Sequence, residues 1–217
     1  MLALFVVAPA CKKNEAEPVI ATHQAKVRES FAAAKRIGDQ VKGLPPLAKD
    51  GARLEAGPVK LPTALFGTPT DTAMMDDAEG LANPESPPTF RTFKLDRVGQ
   101  LGWCAKLLGT PTASKAAAES AFGLCTQAKY LLVVRVFEHR PPKVDTASKT
   151  FQSGLVRGEV RVMPFPTGKD LGGFRFKAEN DAVTTATKSG DAAVVEANLN
   201  HKVQEAVNAG IRTHLAP

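Results

Sequence analysis

Hydrophobic and polar residues alternate in two segments of the C-terminal half of the chain. Over 155–163 the small and apolar residues fall on one face and the charged residues on the other, and the alternation returns over 171–180 after a turn at 166–170. A period of two residues is typical of strands with one buried face, so the pattern predicts an antiparallel hairpin. The preceding run, Tyr130–Phe137, is nearly continuous in β-branched and aromatic residues, which predicts a central strand. The predicted apolar face consists of Val156, Gly158, Val160, Val162, Phe174, Phe176 and Ala178.

A helical period follows the predicted hairpin. Apolar residues recur every four positions from Val195 to Leu215, after a start signal at 189–191. This stripe can cover the apolar face of the hairpin, because a sheet with one apolar face needs a second layer. Further helices are predicted in the N-terminal half, over 20–41, 95–108 and 113–124. The chain is therefore predicted to be α+β, a two-layer sandwich in which a small antiparallel sheet packs against a C-terminal helix, with additional N-terminal helices.

The segment 44–93 is rich in Pro, Gly, Thr and Asp and contains only short apolar pieces. We expect two short strands within a long irregular stretch, since the prolines interrupt regular structure. An acidic cluster lies in the same segment, at Asp71, Asp76, Asp77 and Glu79. It lacks the alternation and the glycine of a calcium-binding loop, so a solvated acidic loop is the favoured interpretation and no metal site is predicted.

Composition limits the class of protein without identifying a reaction. The 217 residues are 43% hydrophobic and 23% charged, which are values of a globular chain. Collagen, coiled-coil and multi-span membrane proteins are excluded, and three cysteines are too few for a disulfide framework. A single domain over 20–217 is predicted.

The N-terminus carries the most specific signal. Residues 1–10 are apolar and end in small residues directly before Cys11, a stretch about half as long as the ~20 apolar residues of a spanning helix. Ala8-Pro9-Ala10-Cys11 resembles the lipobox of bacterial lipoproteins, with Ala8 where that family usually has Leu. The resemblance implies cleavage after the 1–10 signal segment, diacylglycerol on the Cys11 sulfur, and a tether over 11–19. Lys12 is not the Asp that retains such proteins in the inner membrane, which implies the outer membrane facing the periplasm. The alternative is a buried apolar N-terminus with an ordinary cysteine.

The other two cysteines fit an exported protein. Cys104 and Cys125 form an even pair once Cys11 is set aside, and an oxidising compartment favours a disulfide between them. The alternative is two reduced cysteines in the core. A CxxC pair is absent from the sequence, so redox catalysis and a zinc site have little support.

Positive charge is concentrated in the predicted sheet. Residues 129–177 contain ten Lys or Arg and four acids, a surplus equal to the +6 of the whole chain. The polar face of the hairpin carries Arg157, Arg161, Arg175 and Lys177. Together they predict a patch for an anionic partner, such as lipid headgroups, acidic glycans or an acidic protein, and not nucleic acid. The alternative is a solvated face, cross-paired with Glu159 and Glu179.

Motifs of catalysis are missing from the sequence: neither HExxH nor GxSxG occurs. His139 with Asp145, near Ser148 and Ser153, forms a hypothetical hydrolytic arrangement. The strand, Thr167-Gly168-Lys169 turn, strand and terminal helix are similar to small periplasmic domains of bacterial lipoproteins that assist envelope machines. The sequence thus predicts a membrane-anchored envelope lipoprotein acting as a non-catalytic binding or accessory module without a cofactor. An envelope hydrolase using His139 and Asp145 is the alternative.

Overall fold

The computed structural model describes residues 17–54, 57–58, 72–76, 114–145, 147, 150–180 and 192–215. The three described helices are α1 (Glu17–Lys42), α2 (Lys115–Gln127) and α3 (Ala192–His214). The described strands are β1 (Gly51–Leu54), β2 (Gly57–Pro58), β3 (Thr72–Asp76), β4 (Tyr130–Arg140), β5 (Lys143–Asp145), β6 (Thr150–Gln152), β7 (Leu155–Pro164) and β8 (Gly172–Glu179).

Six strands form one sheet in the order β2-β1-β8-β7-β4-β3. Its centre is the antiparallel set β4, β7 and β8, while β3 adds to β4 in parallel and β5 pairs with β6 separately. In the register, Val160 lies opposite Val134 on one side and Phe174 on the other. All three belong to one face, which is the alternation that the sequence predicts.

Helix α3 covers this face, which we call the α3 face. Its stripe of Val195, Leu199, Val203, Val207 and Ile211 is buried. All of these except Val195 pack in one cluster with most of the predicted apolar positions of β7 and β8, namely Val156, Val160, Val162, Phe174, Phe176 and Ala178. Burial of each such side chain contributes roughly 1.5–3 kcal/mol, so the stripe accounts for much of the attachment of α3. The α+β class and the packing of the sheet against the C-terminal helix are thus confirmed.

Helices α1 and α2 cover part of the opposite face, which we call the α1 face. Phe31 and Ile37 of α1 and Phe122 of α2 pack in one cluster with sheet residues that include Leu131 and Met163. The rings of His23 and Phe122 stack at 5.8 Å between the two helices. The predicted two-layer arrangement was therefore incomplete: the sheet lies between helices on both sides.

Most predicted elements agree with the structure, and some lie outside it. The helix predicted over 20–41 is α1, and the one over 113–124 is α2. The helix predicted over 95–108 falls outside the described residues. In the irregular segment 44–93 the described strands are β1, β2 and β3, and the small β5–β6 hairpin was not predicted. Every helix in the described part of the chain is too short or too polar to span a bilayer.

Candidate functional site

Charged side chains replace apolar ones on the α1 face beyond the helices. Continuing along β4 from Leu131 and Val133, the next residue on this face is Arg135, which is 7% exposed. Glu159 and Arg161 of β7 are 0% and 3% exposed. Burying a charged side chain costs free energy unless it is paired with an opposite charge. The partners of these three residues therefore show whether they are available to a ligand or stabilise the fold.

These residues form a network with Asp170, which we call the buried charged network. Glu159 Oε1 accepts hydrogen bonds from Arg135 Nη2 and from Arg161 Nε, each at 2.6 Å. Arg161 Nη1 also donates to Asp170 Oδ2, on the turn between β7 and β8. Two arginines and two carboxylates make the network neutral. Charge neutralisation with direct hydrogen bonds is what makes its burial tolerable.

The network also holds the chain that follows α1. Arg135 Nη1 donates to the carbonyls of Val41 at 2.9 Å and Leu44 at 2.6 Å, and Arg161 Nη2 donates to the carbonyl of Pro45. In return the Leu47 N–H donates to Glu159 Oε2 at 2.8 Å. The last carbonyls of a helix lack partners within the helix, and a cation there also complements the helix dipole. The arginines therefore cap α1 and fasten the 43–50 segment across the sheet.

A β-bulge marks the outer end of this face. The register between β4 and β7 shifts between Val136 and Glu138, and Phe137 in between is 47% exposed. The guanidinium of Arg135 lies 4.9 Å from the centre of the Phe137 ring, a cation–π contact. A β-bulge changes the direction of the side chains beside it, which accounts for the exposure of Phe137.

The four residues of the predicted basic patch differ in their exposure to solvent. Arg161 lies in the buried charged network, on the part of the α1 face that the 43–50 segment covers. The other three are exposed, and each is paired with a carboxylate: Arg157 with Glu138 at 3.2 Å, Arg175 with Asp50 at 3.1 Å, and Lys177 with Glu179 at 2.9 Å. Since the four charges of the buried network cancel, the surplus of positive charge in 129–177 rests on the remaining side chains of that segment.

Asp50 attaches the end of the 43–50 segment to β8. Its Oδ1 accepts from both the backbone N–H of Arg175 at 2.9 Å and the Arg175 Nε at 3.1 Å. The side-chain hydrogen bond from Arg175 is the main cause that lowers the pKa of Asp50, against the opposing effect of partial burial. The carboxylate thus occupies the place that a neighbouring strand would take beside Arg175.

The residues of the hydrolase hypothesis lie near the β4–β5 turn and the start of β7. His139 is exposed near the end of β4, opposite Val156, and Asp145 ends β5 with its Oδ1 accepting from the Ala147 N–H at 2.9 Å. Ser153 is exposed before β7, and Ser148 lies outside the described residues. Because Ser148 lies outside the described residues, the hydrolytic arrangement of His139 and Asp145 stays a prediction.

The cysteines and the acidic cluster are only partly described. Cys125 lies in α2, whereas Cys11 and Cys104 fall outside the described residues, so lipidation and the disulfide stay predictions. Of the acidic cluster, Asp76 ends β3 and the other three members fall outside. Within the described ranges, no group of His, Cys, Asp and Glu residues is arranged to hold a metal ion.

Sequence reasoning missed Arg135, Asp170 and Asp50 as partners. A signal was present for the first: Arg135 is the one charged residue in the otherwise apolar run 130–137. A charge in a buried strand needs an opposite charge nearby, and Glu159 stands directly across the register from Arg135. The contacts of the 43–50 segment left no comparable pattern.

Comparison with protein-family models, with curated proteins and with solved structures finds no match.

Proposed function

We propose that this chain is a lipid-anchored protein of the bacterial envelope that acts as a non-catalytic binding or accessory module. The observation that carries the proposal is the N-terminal order of an apolar run, small residues and Cys11. Acyl chains contribute about 0.8 kcal/mol for each buried CH₂ group, so a multiply acylated Cys11 holds a polar domain at a bilayer surface. The residues that follow, Lys12–Pro18, are polar and suit a short tether within 11–19.

The arrangement of charged groups supports a binding role over a catalytic one. Most donors and acceptors of the buried charged network are bonded to its own members and to main-chain atoms of 41–47, and Arg135 Nε is its one buried side-chain donor without a hydrogen-bond partner among the described residues. An active site instead keeps reactive groups available to a substrate. Of the groups left at the surface, Arg157 and Lys177 form pairs that are exposed and therefore weak enough to exchange partners.

The anchor is tested by the intact mass of the protein recovered from membranes of a bacterial host. We expect a chain that begins at Cys11 and carries acyl groups. The matched variant Cys11→Ser retains the apolar run and loses the acceptor sulfur, so it should be found unacylated and released from membranes by washing. A wild-type chain that still begins at Met1 under conditions that process other lipoproteins contradicts the proposal.

The anionic partner is tested with vesicles. The Cys11→Ser chain should bind phosphatidylglycerol vesicles better than phosphatidylcholine vesicles, and added salt should weaken the binding. Replacing Arg157 and Lys177 by Ala should reduce it several-fold, whereas Arg212→Ala, an exposed position on α3, should not. Equal binding to both vesicles, insensitive to salt, removes a role for the basic face at lipid.

The hydrolase alternative has a direct test of its own. We expect that His139→Ala and Asp145→Ala leave the cellular role of the protein unchanged at wild-type protein levels. Loss of that role in both variants, with the folded protein still present, supports catalysis by these residues instead.

A further inference from the structure

The outer edge of β8 is only partly paired. Strand β1 lies against it at Gly172 and Gly173 alone, and Asp50 then takes the Arg175 N–H. Because successive residues of a strand point their backbone groups to opposite sides, Lys177 and Glu179 direct their N–H and C=O groups outward, like Arg175. In the described part of the chain, no strand pairs with these two residues on that side. An open edge of this kind is a template for another strand.

We infer that this edge pairs with the same edge of a second copy of the chain, antiparallel about a twofold axis at Ala178. Lys177 then lies opposite Glu179 of the copy, and Glu179 opposite its Lys177. Each of these two pairs exchanges two backbone hydrogen bonds. Joining the edges in this way makes one continuous sheet from two chains.

The charges favour this register. Both side chains stand on the α1 face and are about half exposed, at 52% for Lys177 and 49% for Glu179. The twofold axis places each cation opposite an anion, and such cross-strand pairs stabilise a sheet. A register centred on Lys177 instead would put two lysines opposite each other and would need the Arg175 N–H that Asp50 already holds.

The surroundings of the axis suit close approach. Ala178 carries a small, buried side chain on the α3 face, and a pair of residues that do not exchange hydrogen bonds comes within about 4.5 Å between Cα atoms. Val194, one of two large hydrophobic side chains exposed among the described residues, lies on the first turn of α3. That turn is attached to the end of β8, since Asn180 Nδ2 donates to the Val195 carbonyl at 2.8 Å.

The experiment is sedimentation equilibrium of the full chain with Cys11→Ser, under reducing conditions. We expect a mass that rises with concentration from 23.0 kDa towards twice that value. The shared strand is short, so the dissociation constant should lie in the micromolar range or above, up to about 1 mM. A chain that remains at 23.0 kDa up to several hundred micromolar overturns the inference.

Charge-reversal variants of Lys177 and Glu179 test whether these residues form the interface. Lys177→Glu or Glu179→Lys alone places like charges opposite each other twice, and should weaken association by roughly tenfold or more. The double variant restores both pairs with reversed signs and should return close to wild-type association. Arg212→Glu, at an exposed position near the C-terminal end of α3, is the control that should leave association unchanged. Failure of the double variant to recover overturns the twofold register.

A proline variant tests the backbone contribution. Lys177→Pro removes the outward N–H without removing a hydrogen bond to β7, and edge strands tolerate proline. We expect its circular dichroism to match that of the wild type and its association to be lost. A folded Lys177→Pro chain that associates as wild type does contradicts pairing at this edge. None of these results depends on the lipid anchor.

Discussion

Glu159 is the residue whose loss tests the buried charged network most directly. Its side chain is fully buried and accepts hydrogen bonds from Arg135, Arg161 and the Leu47 N–H. Glu159→Gln keeps the shape of the side chain and removes its charge. Two buried arginines are then left with Asp170 as the single remaining carboxylate of the network.

The expected cost follows from the environment of these groups. Removing one partner of a buried ion pair costs about 3–5 kcal/mol, because the remaining charge is buried without compensation. The amide nitrogen of Gln also turns one of the acceptor positions into a donor that faces other donors. For a chain of this length each kcal/mol lowers the melting temperature by about 2–4 °C, so we expect a decrease of roughly 6–20 °C.

Urea unfolding followed by circular dichroism measures the difference in free energy of unfolding between the variant and the wild type, and a thermal scan measures the difference in melting temperature. Glu138→Gln is the matched control, since Glu138 pairs with Arg140 and Arg157 on the same sheet but its side chain is 37% exposed. Exposed pairs contribute about 0–1 kcal/mol, so this variant should unfold almost as the wild type does. If Glu159→Gln costs no more than Glu138→Gln, the network does not stabilise the fold in the way we describe.

Three further predictions follow from local geometry. Gly210→Ala in α3 places a methyl group against the Phe174 ring and should destabilise the protein by about 1–3 kcal/mol in urea unfolding. Gly123→Ala in α2 meets open space and should stabilise it by up to about 1 kcal/mol, so equal effects of the two variants would contradict this packing. Because the Arg175 hydrogen bond lowers the pKa of Asp50, its contribution is complete above the ordinary pKa of Asp and is lost as the pH falls through the lowered value. Asp50→Asn should therefore flatten the acid side of the curve of stability against pH, and an unchanged acid side would contradict the assignment.

The sequence predicted the elements whose periodicity is set by one buried face. The alternation over 155–163 and 171–180 and the four-residue repeat of α3 each describe a surface that contacts a single layer. For these elements the local pattern alone indicates which side chains are buried, and the tertiary packing agrees with it. The α3 face was for this reason assigned residue by residue.

The α1 face could not be predicted in the same way. Alternating Arg and Glu in β7 is typical of a solvated face, and the burial of Arg161 results from a cover supplied by residues more than a hundred positions earlier. That cover is held mainly through backbone atoms, which carry no residue-specific signal. The placement of 43–50 on the sheet is therefore a property of the folded chain that no periodicity records.

The way this segment is fastened has a consequence for how the protein tolerates substitution. The network contacts Val41, Leu44, Pro45 and Leu47 through carbonyl oxygens and one N–H, which nearly every amino acid supplies. The side chains of 45–47 are therefore free to vary while Arg135, Glu159 and Arg161 stay constrained, with proline at position 47 as the exception, whereas Leu44 also packs against the cluster of the α1 face. Sequence drift in this segment would leave its docking intact.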